Sequence, residues 1–523
     1  MIRLPRLLLL TVFALAAVQA WLGHAQPPSR LPEPATRSPA NHANHADRAD
    51  HADRFGYRSF TGRFKYQGTA SCASMDCHHG TGPAGMKGSE YSLWADRDPH
   101  SKAYAVLFEE RSKTMLRHYR GLAAKQPSHP EADALCLKCH AISVPPEQRG
   151  GRGYEEDRLE PVLADGVGCE GCHGPAERWR TTHYLGWWKQ LSHQQKLNDY
   201  GLIPTKDLAA RVQVCAACHI GAPQMEVNHQ LIAAGHPRLN FEYTLAHHNY
   251  PRHWRERYGP DFEYRAWVIG QVASARAALV LLRYRAEQAA KSELADWPEL
   301  AEYNCASCHQ GLGGDPKRLR GRTTLKPGTL PWGTWYMPQT VRLTEDTTGL
   351  HRGAVPVQRD LADRLAELMQ RRLPPPEQVA AQAARLIEQL DQWLLLLQTS
   401  ADADARAGRS LNQATIEQKL RGLVQAAVIR DGGEDYLAFA DWEQASQHYL
   451  AIAALVRCRV RLDQGQRDSR YAAALGKLTG PLLFPRDKDA VGQTVEYDSP
   501  RDFTPERYLG ALKHIRALLD IRE

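Results

Sequence analysis

The sequence has little of what defines several large classes of protein. After residue 22 it contains no apolar run near the roughly 18 residues that a membrane-spanning helix requires. Cysteine accounts for only 11 of 523 residues, which excludes a disulfide-dense miniprotein. The composition, 43% hydrophobic and 24% charged, is not that of a disordered, collagen-like or polytopic membrane protein. A chain of this length is expected to fold into about three domains.

The N-terminus has the pattern of an export signal. Arg3 and Arg6 precede an apolar stretch, and Gly23–Ala25 supplies the small residues of a cleavage site. The apolar stretch is shorter than a spanning helix, and an uncleaved membrane anchor is the alternative interpretation. We predict a periplasmic or otherwise exported protein, with residues 1–25 as the signal peptide and residues 26–55 as a disordered His- and Pro-rich linker.

Ten of the eleven cysteines form five pairs, and a histidine directly follows each pair. The five sets are Cys72, Cys77 and His78; Cys136, Cys139 and His140; Cys169, Cys172 and His173; Cys215, Cys218 and His219; and Cys305, Cys308 and His309. Four of them match Cys-x-x-Cys-His, the attachment signature of c-type haem. On one helical turn, residues i, i+3 and i+4 share a face, so two thiols can bond the porphyrin vinyl groups while the histidine reaches the iron. The first pair has two extra residues, which must bulge out if it holds a haem in the same way.

Disulfides and zinc knuckles are the alternative interpretations of these pairs. Disulfides would not require a histidine after every second cysteine. Zinc ribbons close two Cys-x-x-Cys knuckles around one tetrahedral ion, and five pairs cannot all be matched two by two. The pattern therefore predicts five covalently attached haem c groups.

The second axial ligand of each iron is expected to be another histidine. The sequence holds 23 histidines and only 7 methionines, so bis-histidine coordination is favoured, and it gives lower potentials than His/Met coordination. The candidate distal ligands are His100, His183, His229, His236 and His253. His79, His247 and His248 are kept as reserves, whereas His351, His448 and His514 are expected to be ordinary histidines.

The segment Gly166-Val-Gly-Cys-Glu-Gly-Cys-His-Gly-Pro175, with His183 downstream, resembles the cytochrome c-554 type of multihaem proteins. The segments Asp98–Tyr104 and Asn228–Leu239 match that type as well. The type belongs to the wider group of pentahaem nitrite reductases and octahaem hydroxylamine oxidoreductases. The resemblance covers roughly residues 66–312. It implies a mainly α fold, with closely packed haems in a helical frame and little sheet, and it places the five candidate distal histidines in settings similar to that type's distal ligands.

Neither catalytic identity of the wider group carries over to this sequence. It contains no Cys-x-x-Cys-Lys site of the kind that pentahaem nitrite reductases use for catalysis, and its five haem motifs are fewer than those of the octahaem enzymes.

The rest of the chain predicts helices without haem motifs. Apolar residues recur at helical spacing from Asp261 to Glu287 and again in the last third of the chain. Thr504 followed by Pro505 marks the start of a final helix. We predict a pentahaem cytochrome c domain at residues 56–312, a linker at 313–356 and a C-terminal helical domain, acting as a cap or docking domain, at 357–523.

The positive charge of the sequence does not indicate nucleic-acid binding. Removing Arg3 and Arg6 takes the net charge from +7 to +5, and five oxidised haems with their propionates contribute about −5. The holoprotein is therefore expected to be near neutral. The predicted partners are redox proteins. For the protein itself we predict no transmembrane segment after signal cleavage, and peripheral membrane association is still allowed.

Two functions remain open from the sequence. One is an electron carrier in which low-potential, mostly bis-histidine haems pass electrons between redox partners. The other is a multihaem oxidoreductase in which one five-coordinate iron binds nitrite, hydroxylamine or sulfite, since a catalytic metal needs an open position.

Overall fold

The computed structural model describes most of the chain beyond residue 63. The described residues are 64–80, 87–121, 129–142, 163–254, 258–292, 296–309, 330–345, 357–406, 410–439, 441–463, 468–484, 486–488, 494–496 and 503–521. The predicted export signal and the predicted His- and Pro-rich linker lie outside them.

Helices dominate the described residues, and the mainly α fold predicted from the sequence is confirmed. The α-helices are α1 (Glu90–Arg97), α2 (Glu110–Arg120), α3 (Ala134–His140), α4 (Cys169–His173), α5 (His193–Tyr200), α6 (Leu208–His219), α7 (His229–Ala233), α8 (Tyr243–Asn249), α9 (Phe262–Lys291), α10 (Pro338–Glu345), α11 (Arg359–Met369), α12 (Pro376–Arg406), α13 (Gln413–Gln425), α14 (Trp442–Leu462), α15 (Ser469–Thr479) and α16 (Pro505–Leu518).

Sheet is scarce in the described part of the chain. Two antiparallel hairpins are present, β1 (Val428–Asp431) with β2 (Glu434–Leu437) and β3 (Arg486–Lys488) with β4 (Thr494–Glu496). Short 3-10 turns complete the secondary structure: Thr69–Cys72, Pro99–Lys102, Ala105–Phe108, Pro130–Ala132, Gly186–Gln190, Leu300–Glu302, Cys305–Ser307 and Gly480–Leu482. The haem motifs therefore lie in a frame of helices and short turns.

Helix α9 is the central element of the core. Its 30 residues are mostly buried, and it packs against α6, α8, α12 and α14. Among the described residues it is the one helix long and apolar enough to span a membrane, yet 83% of its most apolar window is buried inside the protein. That burial is typical of a core helix, whose apolar residues are covered by neighbouring helices rather than by lipid.

The C-terminal helices share their core with the haem-bearing part of the chain. Val379, Leu386 and Trp393 of α12 are almost fully buried, as their near-heptad spacing predicts, and they belong to the same hydrophobic cluster as Val268 of α9. Helix α10, which falls within the predicted linker, contributes Val341 to that cluster. The described residues on both sides of the predicted linker thus bury their apolar surface together.

Two sets of side-chain hydrogen bonds, one local and one long-range, stabilise the C-terminal helices. The Thr504 hydroxyl accepts a hydrogen bond from the Arg507 amide (3.3 Å), with Pro505 in the first turn of α16, so the predicted N-cap is present. His448 is fully buried in α14 and bonds the Tyr508 hydroxyl through Nδ1 (2.9 Å) and the Leu423 carbonyl through Nε2 (3.2 Å). Both ring nitrogens of His448 are committed to the core.

Two neighbouring leucines of α12 test the packing of this helix onto α9. Leu394 is fully buried, whereas Leu395 is 49% exposed. We expect Leu394→Ala to lower the free energy of unfolding by about 2–5 kcal/mol, and Leu395→Ala to change it by no more than about 0.5 kcal/mol. Urea unfolding followed by circular dichroism measures both variants, and equal losses would contradict the packing of α12 onto α9.

Candidate haem sites and their axial histidines

The four regular motifs each lie on a helical turn. Cys136–His140 ends α3, Cys169–His173 forms α4, Cys215–His219 ends α6, and Cys305–Ser307 is a 3-10 turn. In the last motif the His309 amide donates to the Cys305 carbonyl (2.8 Å). The backbone therefore gives each set of two thiols and one imidazole the helical spacing that the sequence analysis requires.

The irregular first motif accommodates its extra residues in a tight turn. The Ser74 carbonyl accepts hydrogen bonds from the amides of Cys77 (3.0 Å), His78 (3.0 Å) and His79 (3.1 Å). Met75, inside the insertion, is 73% exposed. The inserted Met75 thus projects outward, whereas His78, which follows the exposed Cys77, contacts Glu90 through Nδ1 (3.0 Å).

Four of the five histidines that follow a cysteine pair lie opposite one of the candidate distal histidines. The distances between ring centroids are 6.0 Å for His78 and His183, 6.0 Å for His219 and His100, 6.4 Å for His173 and His253, and 6.3 Å for His309 and His229. His140 lies near His236, whose pKa is lowered first by burial and then in part by the charge of His140. The structure therefore brings together segments that are far apart in the chain.

The spacing of these rings fits a metal ion between them. A bond from a metal to an imidazole nitrogen is about 2 Å long. When two imidazoles bind one metal from opposite sides, these two bonds and the distance from each nitrogen to its ring centre add up to a centroid separation of about 6 Å. The observed range of 6.0–6.4 Å agrees with that requirement. The imidazole must also be neutral to bind a metal, and burial followed by the neighbouring His253 lowers the pKa of His173 to about 4.

Most of these histidines are also held through Nδ1, which leaves Nε2 for a metal. The contacts of Nδ1 are with Glu90 for His78 (3.0 Å), Asp98 for His100 (2.8 Å), the Ala103 carbonyl for His140 (2.9 Å), the Trp179 carbonyl for His183 (2.9 Å), the Pro237 carbonyl for His236 (2.8 Å) and the Thr205 hydroxyl for His173 (3.4 Å). Metal-binding histidines characteristically donate their second ring nitrogen in this way, which fixes both tautomer and orientation.

The reserve histidines have other environments. His247 contacts the Tyr258 hydroxyl through Nε2 (3.0 Å), and its pKa is lowered to about 3, first by burial and then by Arg211. His79 packs its ring against Tyr91 at 4.9 Å. The contacts of these two reserves are thus with tyrosines, whereas four of the five candidates lie opposite a histidine of a cysteine motif.

Glu170 lies inside the third motif and connects it to Gln67 and Gly68, which precede the first motif. Its buried carboxylate accepts hydrogen bonds from the amides of Gln67 (2.9 Å), Gly68 (2.7 Å) and Ala176 (2.7 Å). Burial raises the pKa of Glu170 to about 7 against the opposing effect of these bonds. Glu170 carries no local sequence signal for this role, because Gln67 and Gly68 lie about 100 positions away along the chain.

The same two segments approach closely at Gly168. A Cβ atom added there would lie 1.9 Å from the Thr69 hydroxyl oxygen, so only glycine fits. Cys72 lies three residues after Thr69, and its thiol is hydrogen-bonded to the thiol of Cys169. This contact is the first cause that lowers the pKa of Cys72, to about 6. The first and third cysteine motifs are therefore direct neighbours.

The fifth motif is held by residues of the C-terminal helices. Arg238 donates to the Cys305 sulfur (3.2 Å) and to the Ala301 carbonyl (3.3 Å), and it forms an ion pair with Glu443 of α14. The Asn304 side-chain amide donates to Asp441 (3.2 Å). These contacts give the C-terminal region a direct role in positioning the last cysteine pair.

The alternative interpretations of the cysteine pairs gain no support. None of the eleven cysteines, all within the described residues, forms a disulfide. In the part of the chain that the structure describes, no three His, Cys, Asp or Glu side chains cluster as they would around a zinc ion.

Glu170 and Glu177 both accept hydrogen bonds from amides of residues 65–68. Substituting each in turn tests whether Glu170 holds the first and third motifs together. Glu170→Ala removes the acceptor of three amides, and unsatisfied buried donors cost about 1–3 kcal/mol each, so the free energy of unfolding should fall by several kcal/mol. Glu177 accepts only from the Lys65 amide (3.0 Å) at an exposed position, and Glu177→Ala should change it by about 0.5 kcal/mol or less. Equal effects in urea unfolding would show that Glu170 does not anchor the two motifs.

Comparison with known proteins agrees with this geometry. Residues 71–174 match the family model described as cytochrome c554 and c-prime. Cytochrome c-554 of Nitrosomonas europaea is 29% identical over 161 residues, which is 30% of this chain and 57% of that protein, so the chain spans little more than half the length of this relative. No solved structure matches. Over the matched range, the chain is similar to cytochromes c of the c-554 type.

Proposed function

We propose that this protein is an exported electron-transfer cytochrome with five covalently attached haem c groups, each ligated by two histidines. The proximal and distal ligands are His78 with His183, His140 with His236, His173 with His253, His219 with His100, and His309 with His229. Haem iron supplies a one-electron couple between its ferric and ferrous states when it is bound.

The observation that carries the proposal is the pairing of eight histidines across four of the five motifs. These four pairs have ring centroids 6.0–6.4 Å apart. For the fifth motif we assign His236 to His140, whose charge, after burial, contributes to the lowered pKa of His236. An unrelated set of aromatic contacts would not reproduce this spacing at four separate motifs.

The pairing favours a carrier over an enzyme. A five-coordinate iron that binds nitrite, hydroxylamine or sulfite needs an open position, whereas here a second imidazole lies opposite the histidine of four motifs. Two imidazoles on each iron also favour low potentials. The chain thus supplies ligands for holding and passing electrons rather than a site for a substrate.

The contacts between motifs support a relay. Cys72 and Cys169 are hydrogen-bonded neighbours, and the ring of Tyr250 lies 5.8 Å from that of His100 and 6.3 Å from that of His253. The first, third and fourth sites are therefore close together. A redox protein that meets one of them can exchange electrons with the others through the protein, and the partners we expect are redox proteins outside the cytoplasm.

The haem count is tested by the mass of the mature protein. We expect the mass of the exported polypeptide to exceed that of its amino-acid sequence by five haems, with the signal peptide removed. A pyridine haemochrome assay gives an independent value per chain. A count of four would remove the irregular first site from the proposal, and a count of zero would overturn it.

Axial ligation is tested by removing one distal histidine. His183→Ala leaves the first iron without its second imidazole, so one haem of five should become high-spin and bind nitrite or cyanide, while the others stay low-spin. His193→Ala, at an exposed histidine of α5, is the matched control and should leave the optical and electron paramagnetic resonance spectra unchanged. Identical spectra for both variants would contradict the assignment of His183.

A further inference from the structure

The axial histidines differ in what accepts the hydrogen bond of Nδ1. His140, His183 and His236 face neutral backbone carbonyls, whereas His78 and His100 face the carboxylates of Glu90 and Asp98. A carboxylate at this position makes the imidazole a stronger electron donor to its metal than a carbonyl does. The five sites are therefore chemically unequal although their ligands are the same.

Asp98 is the more enclosed of the two carboxylates. It is 1% exposed, and its Oδ1 accepts from the Nδ1 of His100 (2.8 Å) and from the His100 amide (3.0 Å). Glu90, by contrast, has a side chain that is 25% exposed. A charge shielded from water acts more strongly on its neighbours, so Asp98 has the larger influence on its histidine.

Tyr250 shares the carboxylate of Asp98. Its hydroxyl donates to Oδ2 of that carboxylate. A second hydrogen bond to the same carboxylate withdraws negative charge from the oxygen that faces His100. Tyr250 therefore opposes the effect of Asp98 on the imidazole.

We propose that Asp98 and Tyr250 are positioning residues with opposite effects on one haem, the haem attached to Cys215 and Cys218 and ligated by His219 and His100. Asp98 lowers the midpoint potential of this haem by stabilising the ferric state through His100, and Tyr250 raises it by drawing charge from Asp98. The inference rests on the proposed function, since it requires His100 to be an axial ligand.

The experiment is a spectroelectrochemical titration of the purified, haem-loaded full chain and its variants. Asp98→Asn keeps an oxygen that can accept from Nδ1 but removes the charge, so the midpoint potential of one haem should rise. Tyr250→Phe leaves the carboxylate to His100 alone, so the potential of that haem should fall. His100→Ala identifies the haem, because it makes the same one high-spin.

Two further variants separate this effect from general disturbance. Glu90→Gln should raise the potential of a different haem, the one ligated by His78. Tyr258→Phe removes a hydroxyl that contacts His247 rather than a carboxylate beside an axial ligand, and should shift no potential. Since Tyr250→Phe is the milder change, it tests the inference even if Asp98→Asn does not fold.

The outcomes distinguish the two proposals. Shifts of opposite sign at one haem support the inference, whereas shifts of the same sign, or none, overturn it. If five low-spin haems are present and the potentials do not respond, the inference fails and the proposed function stands. If His100→Ala leaves every haem low-spin, the assignment of His100 as a ligand fails, and the proposed function fails with it at that site.

Discussion

The proposed coordination of each iron by two imidazoles requires two histidines to approach each other at every site, and distant segments of the chain do come together in this way. The histidine of a cysteine motif is placed by its own helical turn, whereas its partner comes from another part of the fold. His229 lies 80 positions before His309, and His100 lies more than a hundred positions before His219. Under the proposed function, the arrangement of helices supplies the second ligands.

The frame that meets this requirement is built around α9. Its residues pack against α6, which ends in the fourth cysteine motif, and also against α12 and α14. Glu443 of α14 also fixes Arg238 beside Cys305. The C-terminal helices, although they carry no haem motif, are thereby part of the structure that holds the last site, and their removal would expose both the core and that motif.

Local features were predictable from the sequence and long-range ones were not. The five cysteine motifs, the long helix α9 and the cap at Thr504 follow from spacing along a few turns, because i, i+3 and i+4 positions share a helix face. The abundance of histidine indicated five candidate distal ligands, but their pairing depends on tertiary contacts. Glu170 and the Asp98–Tyr250 contact join residues more than 100 positions apart, and the core shared across the predicted linker likewise has no local signal.

The central claim is that every iron lies between two imidazoles, and the spin state of the oxidised protein tests it most directly. Low-temperature electron paramagnetic resonance with spin quantitation distinguishes low-spin, six-coordinate haems from high-spin haems with an open position. The account predicts low-spin ferric haem at all five sites and no high-spin signal. A stoichiometric high-spin signal in the untreated protein, responsive to nitrite or hydroxylamine, would contradict it and indicate an open catalytic iron.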